Sequence, residues 1–369
     1  MSESDREIRL LPVNVLTGFL GSGKTTLLGR MLASPAFAET AVLINEFGEV
    51  GLDHHLIEQV DEGVLLLRSG CICCTIRSDL QDSLRDLYSR RARGQIPQFK
   101  RLVIETTGLA DPVPIVSTLL SDPVICNHFR LGNIICTVDA VNGAGQLDRQ
   151  PESVKQAAIA DRLVVTKVDL AARGRIAALR ARLKRLNPAA VLSEADNAAI
   201  DPELLLAQDL HDPAHKAAEV ARWLEAEASE LPDPRRSRRG AGNEQAHDHS
   251  AHDRPADVNR HDADISAFAL TFDRPLDWTA FGIWLSMLLQ AHGEDVLRVK
   301  GLLNVVDVAT PVVVHAVQHL IHPPLHLPRW PSADRRSRLV FIARGLSRES
   351  VERSLNAFNR LGDRLHEPV

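Results

Sequence analysis

The run LPVNVLTGFLGSGKTTLLGRML, residues 11–32, restricts the fold more than any other stretch of the 369-residue chain. Residues 11–18 are short, apolar and partly β-branched, which reads as a buried strand. Gly18 to Thr25 then matches G-x-x-x-x-G-K-[ST] in full, and a helical pattern follows at once. A strand feeding a glycine-rich turn that opens a helix leaves backbone N–H groups pointing at one spot, with the helix dipole behind them. Gly18, Gly21 and Gly23 let the chain turn inward around a β-phosphate, with Ser22 on the same turn. Lys24 supplies a point charge for the β and γ oxygens. The Thr25 hydroxyl can ligate Mg²⁺, and Thr26 follows it in the first helical turn.

The rest of the first half repeats that strand-and-helix rhythm. Residues 40–47, 100–107, 131–140 and 161–169 are apolar nearly throughout, as parallel strands covered on both faces are. Amphipathic stretches separate them. In RSDLQDSLRDLYSRRARG, Leu80, Leu84, Leu87 and Arg91 recur at helical spacing with charge on the opposite face. Strands alternating with helices predict an α/β domain with a doubly wound parallel sheet. Residues 229–264 lose their aliphatic content and fill with Pro, Gly, Asp, Arg and His, the composition of a flexible linker. The pattern resumes with a strand at 265–272 and a helix at 277–292. Strands at 295–305, 311–318 and 338–343 and a helix at 347–361 complete a small α+β domain. The expected division is therefore 1–228, a linker at 229–264, and 265–369.

Composition narrows the function classes. The formal net charge of −5 gives no general case for a nucleic-acid or membrane partner. No apolar run reaches the roughly 18 residues that a membrane helix requires. The first residues, MSESDREIRLLPVN, read as a short disordered lead without signal-peptide character. Five cysteines in a chain this long do not make a secreted disulfide framework, so a reducing cytoplasm is expected. Cys126 and Cys136 sit in apolar contexts and read as core residues.

Two strand ends carry further nucleotide chemistry. DRLVVTKVD ends in Thr166-Lys167-Val168-Asp169, which resembles the N-K-x-D turn of P-loop GTPases, with Thr where many carry Asn. A carboxylate in the base plane at Asp169 can accept both the N1–H and the N2 amino hydrogens of guanine, and adenine offers neither. The Lys167 stem can lie along the ring. KRLVIETTG ends in Glu105, placed for Mg²⁺ or its waters, and in Gly108, whose backbone N–H can meet a γ-phosphate.

Taken together, GFLGSGKTTLL, NEFGEVGLDHHL, GCICCT, ETTGLADP and TKVDL resemble the CobW-like P-loop GTPases. That family includes proteins of cobalamin synthesis, nitrile hydratase activators and zinc-transferring chaperones. Its near relatives are the nickel chaperones of hydrogenase and urease. The resemblance extends over most of the chain, with HPPLHLPRWPSADRRSRLVFIARG similar to the family's small C-terminal domain. It implies a GTP-hydrolysing metallochaperone that delivers a divalent metal, zinc or cobalt, to a metal-requiring client. A metal-sensing regulatory GTPase that signals without moving metal is the alternative, and a homo-oligomer is left open.

GCICCT places Cys71, Cys73 and Cys74 within four positions. Thiolates favour Zn²⁺ and other borderline or soft ions, yet three do not fill a tetrahedral shell. By resemblance, a switch-loop glutamate joins them, Glu49 in preference to Glu46; spacing does not separate the two. A redox dithiol and a structural zinc are the other readings of the cluster. Linker residues His247, His249, His252 and His261 read as a weak metal-gathering tail or as solvated chain. His315, His319, His322 and His326 fall in a strand-and-turn context and read as ordinary core or surface histidines. Arg335, Arg336 and Arg338 read as a solvated turn.

Overall fold

The computed structural model describes residues 10–45, 57–61, 64–69, 76–195, 205 and 265–365. The three clustered cysteines, Glu46, Glu49 and the linker histidines lie outside these residues.

The strands of the first half are β1 (Leu11–Gly18), β2 (Thr40–Asn45), β3 (Ile57–Asp61), β4 (Val64–Ser69), β5 (Arg101–Glu105), β6 (Phe129–Asp139), β7 (Arg162–Thr166) and β8 (Val191–Glu194). They form one sheet in the order β3-β4-β2-β5-β1-β6-β7-β8. All neighbours from β4 to β8 pair in parallel, and only β3 runs antiparallel at the edge. Its helices are α1 (Lys24–Leu32), α2 (Ile76–Ala92), α3 (Val113–Ser121), α4 (Gly143–Arg149), α5 (Pro151–Ile159) and α6 (Arg173–Leu186).

The apolar runs predict this because both faces of the sheet are covered. Val13, Val15, Leu102 and Ile104 pack on one face against Leu80, Leu84, Ile115 and Leu119 of α2 and α3. Their chain neighbours Leu16 and Val103 point the other way, to Leu27, Leu28 and Met31 of α1. The alternation is the period-2 geometry of a strand, with neither side left for water. The hairpin β3–β4 is not legible in the sequence analysis: IEQVD mixes polar and apolar residues and gains its strand form by pairing with VLLLRS. The run at 161–169 is also shorter as a strand than its apolarity suggests. Lys167 takes left-handed backbone (φ 56°), and a 3₁₀ turn over Val168–Leu170 ends it.

The second sheet is antiparallel. β9 (Ile265–Phe272), β10 (Val296–Leu303), β11 (Val312–Val317), β12 (Leu320–Ile321), β13 (Leu325–His326) and β14 (Ser337–Arg344) are arranged β12-β11-β10-β14-β9, with β13 paired to β11. Helices α7 (Trp278–His292) and α8 (Arg348–Leu365) cover one face. Asp277 caps α7 by accepting from the Ala280 N–H at 2.6 Å. Trp284 Nε1 donates to Ser354 Oγ at 2.9 Å and ties α7 to α8. His315 and His322 lie edge to face, 6.1 Å apart, and His319 Nδ1 is 2.8 Å from the Leu289 carbonyl, so the three take part in local packing of the strand and turn.

The other face of this sheet meets the first. Leu297, Val317 and Ile342 join the cluster formed by α2, α3 and the parallel sheet. Arg298 and Lys300 of β10 reach Asp161, the residue before β7, and Arg298 Nη1 also donates to the Ile159 carbonyl at 2.7 Å. Asp161 Oδ2 accepts from the Ile134 N–H at 3.0 Å as well. A charge removed from water needs such compensation, and here the partners come from both sheets.

Candidate nucleotide site

Strand order places the site. From β1 the chain crosses past β5 to β2 on one side, whereas from β6 it continues to β7 on the other, so a crevice opens between β1 and β6 at their C-terminal ends. The Gly18–Thr25 loop turns there. A Cβ on Gly18 would lie 2.3 Å from Thr137 Oγ1, so no other residue fits that corner. Gly21 and Gly23 follow with φ of 71° and 89°, and Gly23 caps α1. Ser22 is buried and its hydroxyl is 2.6 Å from Thr137 Oγ1, which locks the loop onto β6.

Lys24 is buried. Its ammonium donates to the carbonyls of Gly18 (2.9 Å) and Phe19 (3.3 Å), folded back onto its own loop. Thr25 and Thr26 are exposed on the first turn of α1. Thr25 Oγ1 donates to Glu105 Oε1 at 2.7 Å, across 80 positions of sequence. Glu105 is only 4% exposed, so a carboxylate and a hydroxyl meet at the edge of the phosphate loop. Paired hard oxygens of this kind suit Mg²⁺.

The loop after β5 is held from two sides. A Cβ on Gly108 would come within 2.6 Å of the Leu20 backbone nitrogen, so glycine is required for the loop to lie against the phosphate turn. Gln156 of α5 donates to the Gly108 carbonyl at 3.2 Å and the Ala110 carbonyl at 3.0 Å. Lys155 pairs with Asp111 at 2.5 Å. Sequence reading missed Gln156, because an amide inside a helix gives no sign of the loop it serves.

Thr166 stands where the N-K-x-D pattern carries Asn, at the end of β7. Its hydroxyl donates to the Ser22 carbonyl at 2.7 Å, joining the end of β7 to the phosphate loop. Lys167 Nζ donates to Asp139 Oδ2 at 2.7 Å, and Asp169 is exposed one turn further on. Asp139, at the end of β6, also accepts from Asn142 Nδ2 (3.0 Å) and from the N–H groups of Val141 (2.7 Å) and Asn142 (3.2 Å). Burial pushes this carboxyl up, but Lys167, Asn142 and the two backbone N–H groups outweigh it and hold the acid below the ordinary aspartate range. Asp139 is the second residue that sequence reading passed over.

Cys136 is buried beside this site, and burial pushes its thiol up to about 12, so it stays protonated as a core residue. Cys126 is exposed. Among the described residues no cluster of three or more His, Cys, Asp or Glu could hold a metal ion, and no helix is long and apolar enough to cross a membrane.

Comparison with known proteins agrees with this geometry. Residues 12–194 match the "CobW/HypB/UreG, nucleotide-binding domain" model, and residues 265–359 match the "Cobalamin synthesis protein cobW C-terminal domain" model. The chain is 33% identical over 341 residues to zinc chaperone YjiA of Escherichia coli, covering 92% of this chain and 96% of that protein. It is 25% identical over 363 residues to zinc chaperone CobW of a Sinorhizobium species, covering 90% and 92%. The crystal structure of Zn(II)-bound YjiA GTPase from E. coli superposes with a TM-score of 0.66 at 28% identity, covering 95% of this chain and 99% of that one. A complete phosphate loop, a parallel sheet that opens beside it and a second antiparallel sheet, matched over nearly the full length, make this chain a member of the CobW family of P-loop GTPases.

Proposed function

We propose that the protein is a GTP-hydrolysing metallochaperone whose cargo is a divalent ion, zinc ahead of cobalt. The observation that carries the reading is the Thr25–Glu105 contact beside a complete phosphate loop, in a chain matched over 92% of its length by a zinc chaperone. Thr25 and Glu105, the latter directly or through water, are the residues that would hold Mg²⁺. The ion neutralises charge that develops between the β and γ phosphates. In this reading Lys24 exchanges its partners when nucleotide binds. Its ammonium rests on the Gly18 and Phe19 carbonyls, and anionic phosphate oxygens are the stronger acceptors. Gly108 sits against Leu20 and its carbonyl is held by Gln156, which supports the reading that its N–H registers a γ-phosphate and its loss on hydrolysis.

In this reading Thr166, Lys167 and Asp169 select guanine, and Cys71, Cys73 and Cys74 hold the cargo with Glu49 or Glu46. In sequence the glutamates come after β2, which ends at Asn45, and the cysteines after its parallel neighbour β4, which ends at Ser69. An incompletely filled thiolate shell favours transfer over storage. For the nucleotide to drive transfer, metal affinity must differ between the GTP and GDP states.

The test is competition with chelators for Zn²⁺ and Co²⁺ in each nucleotide state, followed by transfer of isotopic metal to an acceptor. Nucleotide-dependent affinity, lost in Cys73→Ser, is the expected result. Unchanged affinity of Cys73→Ser in both states would remove the cargo role. A metal response without transfer would favour a regulatory GTPase.

A further inference from the structure

The end of β6 holds a buried acid that no part of the phosphate chemistry uses. Asp139 is 1% exposed, yet each of its oxygens is engaged: Oδ2 by Lys167 Nζ and Asn142 Nδ2, Oδ1 by the N–H groups of Val141 and Asn142. It therefore fixes two segments at once. One is the turn that starts α4, whose Gln146 Nε2 lies 3.5 Å from the Leu20 carbonyl of the phosphate loop. The other is Lys167, a non-glycine residue in left-handed backbone. Such backbone persists where surrounding contacts over-determine it. The Ala140 N–H donates to the Thr166 carbonyl at 2.9 Å, which brings the ends of β6 and β7 together so that the lysine can reach the acid.

We propose that Asp139 is the positioning residue of the base site, acting through Lys167: its carboxylate anchors the ammonium and so fixes the lysine stem as a preformed wall for guanine. The proposal rests on the reading of residues 166–169 as the guanine-selecting turn. Its physical basis is preorganisation. A free lysine has four rotatable side-chain bonds, and ordering them on binding weakens affinity. Anchored by a buried acid, the stem is ordered before the nucleotide arrives. The anchor also holds the cation on Asp139, so that phosphate recognition stays with Lys24.

The experiment compares GDP with inorganic pyrophosphate, which reports on the phosphate loop alone. Asp139→Asn should weaken GDP binding about 10-fold and leave pyrophosphate binding within about 2-fold, as expected for one charge-assisted contact. Lys167→Met keeps most of the stem but loses the ammonium, and should weaken GDP to the same extent. In the Lys167→Met background, Asp139→Asn should add less than about 2-fold, since both changes break one link. Equal weakening of GDP and pyrophosphate, full additivity of the two changes, or a Lys167→Met protein with native GDP affinity would overturn the assignment. The Lys167→Met result stands even where Asp139→Asn does not fold. Asp169→Ala separates this from the parent reading. If it leaves the preference for GDP over ADP intact, the guanine turn is wrong. If that preference is lost while Lys167→Met binds GDP normally, only the Asp139 assignment fails.

Discussion

Arg298 of the antiparallel sheet and Asp161 at the foot of the parallel sheet form an ion pair in which each side chain is 1% exposed. Lys300 shares the same carboxylate at 3.1 Å, and Arg298 reaches the last turn of α5 through the Ile159 carbonyl. Two sheets distant in sequence are thus joined by a charge cluster shielded from water. Arg298→Met should destabilise the protein by about 3–5 kcal/mol, because it removes one partner of a buried pair. Arg298→Met combined with Asp161→Leu should cost clearly less than the sum of the two changes. Denaturant unfolding of the single and double variants checks both expectations.

Glu105 and Thr25 make the second relationship to test. Glu105→Gln retains the shape and loses the charge. It should reduce GTP hydrolysis about 10²-fold, the scale found when one preorganised electrostatic group is removed. It should also raise the Mg²⁺ concentration needed for half-maximal rate. Nucleotide affinity without Mg²⁺ should change little. Steady-state kinetics across a Mg²⁺ titration, with GDP binding in chelator, separates these effects.

Thr166→Val deletes the hydroxyl that ties the end of β7 to Ser22 and keeps the volume. It leaves a buried carbonyl without this donor, a cost of about 1–3 kcal/mol. GDP affinity should fall roughly 5- to 50-fold through displacement of the phosphate loop. Thr166→Ser should restore most of it. Titration with a fluorescent GDP analogue reads both.

Asp122 supplies an acid-sensitive joint between α3 and the 3₁₀ turn after it. Burial pushes its carboxyl up, but the N–H groups of Ile125 and Val124, both at 2.9 Å, and Arg85 at 2.8 Å reverse the shift and bring it below the ordinary value. With the folded value depressed, its contribution is complete above the unfolded aspartate pKa near 4 and is lost as pH falls through the folded value. Asp122→Ala should cost about 2 kcal/mol at pH 7, since two backbone donors lose their acceptor. The variant should lose less stability than the parent between pH 5 and pH 3. Unfolding midpoints across that range check the sign.

What the sequence alone determined was everything written in local spacing. The phosphate loop follows from glycines at fixed offsets between a strand and a helix. The parallel sheet follows from apolar runs that have no polar face. The small second domain follows from alternation resuming at Ile265. Each is legible because a few neighbouring residues dictate their own backbone geometry. The tertiary structure alone decided the partnerships. Thr166 meets the Ser22 carbonyl across 144 positions, Thr25 meets Glu105 across 80, and Arg298 meets Asp161 across 137. Asp139 read as the end of an apolar strand until the adjacent end of β7 delivered Lys167 to it. A buried polar side chain is stabilised by the group it reaches, and sheet order, which pairs segments far apart in the chain, chooses that group.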